Sequence, residues 1–229
     1  MECLKRSCDR KTQALVLFRG TGSIDCSLEQ AGFQVHSLDI DKKCGATWTC
    51  DVLEWEAWRH MMPGRYDFIW ASPPCQQYSR ARTTAKTPRN LELADSIVER
   101  TLEIIYELAP KAWLMENPQT GLLKTREVVE GYPWRDVCYC KYSDGARWTY
   151  KKQTRLWGVM PNFMPRPVCS RKCPCPWSAE KGRHPTCAQR FNPTCFVGTS
   201  HTLNELYSMP TQLCEDIALA AADAARVLL

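Results

Sequence analysis

Two positions in this chain place a reactive side chain where a strand has just ended. Residues 66–78 begin as a short apolar run of aromatic and β-branched residues, which reads as a buried strand. Pro73 and Pro74 then stop it, because each lacks an N–H and fixes φ. Cys75 is the first residue past that stop, on a stiff loop at the carboxyl end of a sheet strand, where open α/β folds hold their ligands. A thiol there is a nucleophile if its surroundings lower its pKa; the alternative is a packing cysteine beside a Pro-Pro turn. The stretch Ala112–Pro118 repeats the arrangement, ending in Glu116, Asn117 and Pro118. Two strands of one sheet thus end in proline loops, so Cys75 and Glu116 can face one crevice, with Asn117 expected to prop the Cys75 loop.

The elements that must position these groups are legible around them. Residues 14–18 form a compact apolar strand, and Arg19 to Ser23 a turn carrying Gly20 and Gly22. Residues 26–31 read as a helix ended by Gly32, 33–38 as the next strand, and Asp39 and Asp41 follow. Strand, glycine turn, helix, strand and an acid about twenty residues on make the first βαβ unit of a nucleotide-binding sheet, the acid serving a ribose diol. Asp51 is a further strand-end acid, and 55–62 reads as a short helix. Leu91–Leu108 has apolar residues at helical spacing and Pro110 after it. Residues 132–158 are β-like and aromatic, and 213–229 form an alanine-rich helix. The expected class is α/β.

Composition narrows the classes. An apolar content of 44% over 229 residues suits one domain with a small appendage. No apolar run is long enough for a membrane span, and the start lacks the apolar core of a signal peptide, so an intracellular protein is expected. Fourteen cysteines in such a chain suggest thiols, a metal site or catalysis rather than a disulfide framework. The net charge of +5 is compatible with a polyanion partner. Between 79 and 90, Arg80, Arg82, Lys86 and Arg89 stand without an opposing acid, either a solvated loop or one that closes over phosphates.

Taken together, the motifs resemble those of the cytosine-C5 DNA methyltransferase family. Leu17 to Gly22, Leu28 to Phe33 and Asp39 to Asp41 look like its cofactor-binding start. Pro73-Pro74-Cys75-Gln76 is similar to its Pro-Cys-Gln loop, and Glu116-Asn117-Pro118 to its Glu-Asn-Val element. Gln153-Thr154-Arg155 partly matches its Gln-x-Arg-x-Arg element, and Met209-Pro210 with the last helix its carboxyl-terminal element.

The resemblance implies a Rossmann-like S-adenosylmethionine-dependent methyltransferase sheet with helices on both faces. It implies methyl transfer to C5 of cytosine in DNA, on a base flipped from the duplex. Cys75 would add to C6, a protonated Glu116 would hold N3, and Arg155 would hold O2, with Arg147 the other candidate. The cofactor would contact Phe18, Arg19, Gly20, Thr21, Gly22, Ser23, Asp39, Ile40, Asp51, Val52 and Pro73. Gln76, Ser79, Arg80, Arg82, Lys86 and Arg89 would grip nucleic acid. The same reaction on tRNA, and a catalytically silent nucleic-acid-binding member, are the alternatives. A monomer is favoured.

Two departures from the family stand out. Position 157 is Trp where the second arginine belongs, and little chain remains between Arg155 and the last helix for a target-recognition domain. The expected division is 1–158 with 203–229 as the cofactor-binding catalytic domain, and 159–202 as a small Cys- and Pro-rich recognition region. That region carries Cys169, Cys173, Cys175, His184, Cys187 and Cys195. These residue types suit tetrahedral zinc, and a stretch so poor in apolar residues needs a staple. Cys169, Cys175 and His184, with Cys187 or Cys195 as the last, are the expected ligands; the alternative is free cysteines on a proline-rich loop.

Overall fold

The computed structural model describes residues 10–56, 62–80, 82, 85–172, 174–176, 184–188, 191–192 and 199–226. Strand β1 (Gln13–Leu17) is buried along its whole length, and its period-two alternation sets the layers. Ala14 and Val16 point into one apolar cluster, Leu15 and Leu17 into another. The first cluster is closed by helix α1 (Ser23–Gln30) through Ile24 and Leu28. Strand β2 (Gln34–Asp39) then returns parallel to β1, and the short β3 (Trp48–Thr49) pairs with β2.

Strand β4 (Phe68–Ala71) lies on the other side of β1 and repeats the alternation, with Phe68 and Trp70 to one face and Ile69 and Ala71 to the other. Helix α2 (Leu91–Leu108) covers the second cluster with Ala94, Val98, Leu102 and Ile105, at helical spacing. Asn90 caps it by accepting from the Leu93 N–H, and Ala109 ends it in the left-handed region just before Pro110. Strand β5 (Ala112–Pro118) adds parallel to β4.

Strand β6 (Trp134–Cys138) runs into a short 3-10 helix, Tyr139–Tyr142, and β7 (Gln153–Trp157) inserts antiparallel between β5 and β6. The seven-stranded order is therefore β3-β2-β1-β4-β5-β7-β6. Strands β8 (Phe191–Asn192) and β9 (Thr199–Ser200) form a separate ribbon. Helix α3 (Leu203–Tyr207) follows, and α4 (Thr211–Arg226) packs beside α1 on the first cluster. Helices thus cover both faces, the arrangement the sequence implied.

The order reverses between β1 and β4, because the chain leaves β1 toward β2 and returns on the opposite side. A crevice opens at the carboxyl ends of the strands at such a switch point. The loops after β1 and β4, carrying Gly20 to Gly22 and Cys75, flank it. The short helix expected over 55–62 falls largely on 57–61, outside the described residues, as do Cys173 and Cys195. No described helix is long and apolar enough to cross a membrane.

Gly158 leaves β7 at φ +135°, and a Cβ built there would stand 2.2 Å from the Trp113 carbonyl oxygen. Both the backbone conformation and the contact forbid a side chain. Gly158→Ala is expected to cost about 2–4 kcal/mol, combining left-handed strain with overpacking. Thermal unfolding monitored by circular dichroism should show a drop of roughly 5–15 °C in Tm.

Candidate active site

A cleft of about 370 Å³ occupies the switch point, within the size range of small-molecule sites. At one end lies the turn after β1. Phe18 takes φ +62°, unusual for a bulky residue, and is held there by two hydrogen bonds: the Arg19 N–H donates to Leu38 O (3.1 Å), and Ser72 Oγ donates to Phe18 O (3.1 Å). Gly20 N–H donates to Asp39 Oδ2 (2.8 Å), while Asp39 Oδ1 accepts from the Asp41 N–H (2.8 Å). Asp39 therefore ties the glycine turn to the end of β2. Ile40, beside it, lines the cleft with 68% of its surface exposed.

Arg19 lines the cleft too, yet its guanidinium is committed to the protein. It donates from Nε to Asp25 (2.7 Å) and from Nη1 to the Cys44 carbonyl. Asp25 is buried, and burial pushes its carboxyl up against the lowering effect of Arg19. Gly22 sits at φ +69° against that guanidinium, where a Cβ would lie 3.0 Å from Nη2. Thr21 and Ser23 line the cleft and share a hydroxyl contact of 2.8 Å.

Asp51 and Val52 are placed differently from the expectation. Val52 is 3% exposed in the core, and Asp51 accepts from the Leu53 N–H (3.0 Å); neither lines the cleft. The Cys50 N–H donates to Asp39 O (3.1 Å), so Asp51 stands one residue beyond the cleft's edge.

At the other end the cleft brings Cys75, Gln76, Glu116 and Pro73 together. Asn117 is fully buried, and its side-chain amide donates to Pro73 O (2.9 Å). The far side of the same loop is held by Tyr78, whose hydroxyl donates to Asp95 on α2 (2.8 Å); Arg126 grips that carboxylate through Nε and Nη2. The loop is thus fixed before and after the cysteine. Burial raises the Cys75 pKa, the Glu116 carboxylate raises it further, and the Lys152 ammonium lowers it.

Glu116 is also raised, chiefly by burial and against Lys152 and a hydrogen bond donated by Thr154 Oγ1 (3.1 Å). Lys152 is itself lowered by burial, with Glu116 and Cys75 opposing that. It donates to Leu206 O (2.8 Å) and lies 4.5 Å from the centre of the Tyr139 ring. Lys152 was not among the expected site residues.

Arg155 is not in the cleft, which corrects the expectation for it. Glu116 pairs with Leu156 across the β5–β7 ladder, so the alternation on β7 puts Thr154 and Leu156 on the cleft face and Arg155 on the other. There Arg155 meets its β6 neighbour Asp136 through two hydrogen bonds of 2.7 and 3.0 Å and lies over the Trp134 ring. Arg147 packs over Trp148, also outside the cleft. Lys152, two residues before Thr154, keeps the parity of the cleft face.

Of the basic loop, Arg80, Lys86 and Arg89 are exposed. Arg82 donates to Thr87 and to the Pro88 carbonyl, and Arg89 to the Gln77 and Ser79 carbonyls. These partners are neutral oxygens, which shape the loop without cancelling its charge. Ala81, Thr83 and Thr84 lie outside the described residues. Tyr207 and Met209 close the cleft from the carboxyl-terminal side, the Met209 N–H donating to Ser23 Oγ (3.3 Å).

The metal-ligand candidates also regroup. Donor atoms of Cys140, Cys169, Cys175 and His184 all lie within 4.8 Å of one another, a set that takes in Cys140 and leaves out Cys187.

Comparison with known proteins gives the family of the chain. Residues 13–130 match the family model described as C-5 cytosine-specific DNA methylase. A curated protein of Frog virus 3 (isolate Goorha), "Probable DNA (cytosine-5)-methyltransferase", is 35% identical over 173 residues, which is 71% of this chain and 77% of that protein. Among solved structures, an Escherichia coli prophage protein assigned as a DNA modification methyltransferase gives a TM-score of 0.48 at 20% identity, over 69% of this chain. The Entamoeba histolytica methyltransferase EhMeth gives 0.45 at 15% identity, also over 69%. The chain spans about half the length of these two, 52% and 55%. The chain belongs to the C-5 cytosine-specific DNA methylase family.

Proposed function

We propose that this protein transfers a methyl group from S-adenosylmethionine to C5 of cytosine in DNA. The observation that carries the reading is the meeting of Cys75, Glu116 and Lys152 at one end of a cleft whose other end is the Asp39-tethered glycine turn. That turn fits the cofactor: a Cβ placed at Gly20 would have no heavy atom nearer than 3.9 Å, which leaves room for a ligand against the backbone. Asp39 keeps lone pairs for the ribose hydroxyls, and exposed Ile40 offers an apolar surface to a flat ring. When bound, S-adenosylmethionine would supply an activated methyl group.

Cys75, as thiolate, forms a bond to C6 of the cytosine, and the ring's electron pair moves toward N3 and O2. Glu116, its carboxyl pushed by burial toward the protonated form, gives a hydrogen bond to N3 when it carries the proton. Lys152 takes the place the sequence reserved for Arg155, facing O2 and favouring the thiolate. C5, now nucleophilic, would take the methyl as its bond to the cofactor's sulfonium breaks, leaving S-adenosylhomocysteine. Its proton then leaves to a base, and the bond between Cys75 and C6 breaks to release the product. The target base reaches this cleft only after rotating out of the duplex, gripped by the 79–90 loop. Residues 1–158 and 203–229 carry cofactor and chemistry in this reading, and 159–202 contact the target.

Bisulfite sequencing of DNA from cells expressing the protein tests the activity. Wild type should add methylated cytosines at defined contexts, and Cys75→Ala should lower that signal by on the order of 10³-fold or more. Equal methylation by both, or labelled methyl appearing on tRNA and not on duplex DNA, would refute the reading.

The charge balance around Cys75 gives a second expectation. Lys152→Met removes the group that lowers the Cys75 pKa, so the alkylation rate of the Cys75 peptide, followed by mass spectrometry, should reach its midpoint at higher pH than in wild type. Glu116→Gln removes a group that raises it and should move the midpoint to lower pH. Methyl transfer by Lys152→Met should fall by roughly 10²-fold, the scale of one lost electrostatic donor.

A further inference from the structure

Three cysteines and a histidine meet beyond the outer edge of the sheet. Cys140 lies in the 3-10 helix that follows β6, Cys169 and Cys175 on the loop beyond β7, and His184 further along the chain. All three thiols are buried, at 1%, 4% and 4% exposure. His184 Nε2 is 3.1 Å from Cys175 Sγ and 3.7 Å from Cys169 Sγ. Tetrahedral zinc with Zn–S bonds of about 2.3 Å sets its ligand atoms about 3.8 Å apart, the spacing this cluster approaches.

Packing alone gives no reason for the cluster. Among the described residues its apolar members are Cys138, Cys140, Cys169 and Cys175, with Val168 packed against them. A hydrophobic core of that size would hold little, whereas three thiolates and one imidazole are a recurrent structural zinc set. Sulfur-rich tetrahedral donors with one nitrogen favour zinc over magnesium or calcium. Other bonds already bring the loop to the same turn: Lys141 Nζ donates to Pro174 O (2.9 Å), and Arg166 Nη1 donates to Lys141 O (2.9 Å). Cys138 Sγ lies 3.3 Å from Cys140 Sγ, placed to donate its S–H to a metal-bound thiolate.

We propose that Cys140, Cys169, Cys175 and His184 bind one structural zinc ion that staples the loop beyond β7 to the turn after β6. The fourth ligand comes from the sheet side of the molecule, so the ion joins the small region to the domain that carries the cleft. The adjacent Tyr139 lies beneath Lys152, so the staple also fixes the floor of the cleft.

Full-length protein expressed with added zinc and purified under thiol reductant should carry one zinc per chain by mass spectrometric metal analysis. X-ray absorption on that sample should report three sulfur ligands and one nitrogen. Cys140→Ser and His184→Ala should lower zinc content by roughly tenfold or more, Cys140→His should restore it, and Cys187→Ser and Cys138→Ser should leave it unchanged. Limited proteolysis after chelation should cut the 159–176 loop faster. Wild type purified without stoichiometric zinc would overturn the proposal. So would zinc kept by Cys140→Ser but lost from Cys187→Ser, or an intact mass showing a Cys138–Cys140 disulfide.

Discussion

A thiol and a carboxyl group sharing one partly buried cleft do not both ionise cheaply, and the site is organised around that conflict. Burial raises the cost of charging Cys75 and Glu116 alike, and the Glu116 carboxylate raises it further at Cys75. Among the described residues, Lys152 carries the charge that opposes that trend at both positions, and its own ammonium is disfavoured by burial unless they answer it. Their charges act on one another: Lys152 favours the anionic form of both acids, and Glu116 and Cys75 in turn favour its ammonium. The rest of the structure can be understood as holding these groups at fixed positions.

That holding is done by side-chain hydrogen bonds that tie loops to neighbouring elements. Asn117 clamps the start of the Cys75 loop, Tyr78 with Asp95 and Arg126 clamps its end, and Asp39 clamps the glycine turn opposite. Each clamp joins parts of the chain apart in sequence, and Asn117 and Asp39 stand at the carboxyl ends of β5 and β2. The unusual backbone at Phe18 and Gly22 is tolerated because neighbouring hydrogen bonds over-determine it. The cleft is accordingly a feature of strand order: a β4 on the same side of β1 as β2 would leave no crevice there.

Most of this order was legible in the residues. Leu91–Leu108 and Ala112–Pro118 appear with the bounds that periodicity and proline punctuation gave them. Other ends shifted slightly: α1 begins at Ser23 because Gly22, left-handed, is its boundary, and α4 spans Thr211–Arg226. Lys152 was hidden because the Gln153-Thr154-Arg155 pattern points to an arginine of the wrong parity. The available signal was the strand's own alternation, since Trp157 and Arg155 share a face with buried Met115 and Asn117. Cys140 was hidden for a different reason. It stands far upstream of Cys169, in an aromatic stretch, and only the antiparallel return of β7 brings it near. The spacing Cys138-x-Cys140 was the one local hint.

The central claim is that the Cys75 sulfur bonds to a cytosine ring, and trapping that bond tests it most directly. Duplex oligonucleotides of mixed sequence carrying 5-fluorocytosine would be incubated with the protein and S-adenosylmethionine, digested, and analysed by mass spectrometry. The account predicts a nucleotide linked to the peptide spanning 66–80, with the attachment at Cys75. Attachment at another cysteine, or turnover of unmodified cytosine with no trapped species on the fluorinated strand, would contradict it.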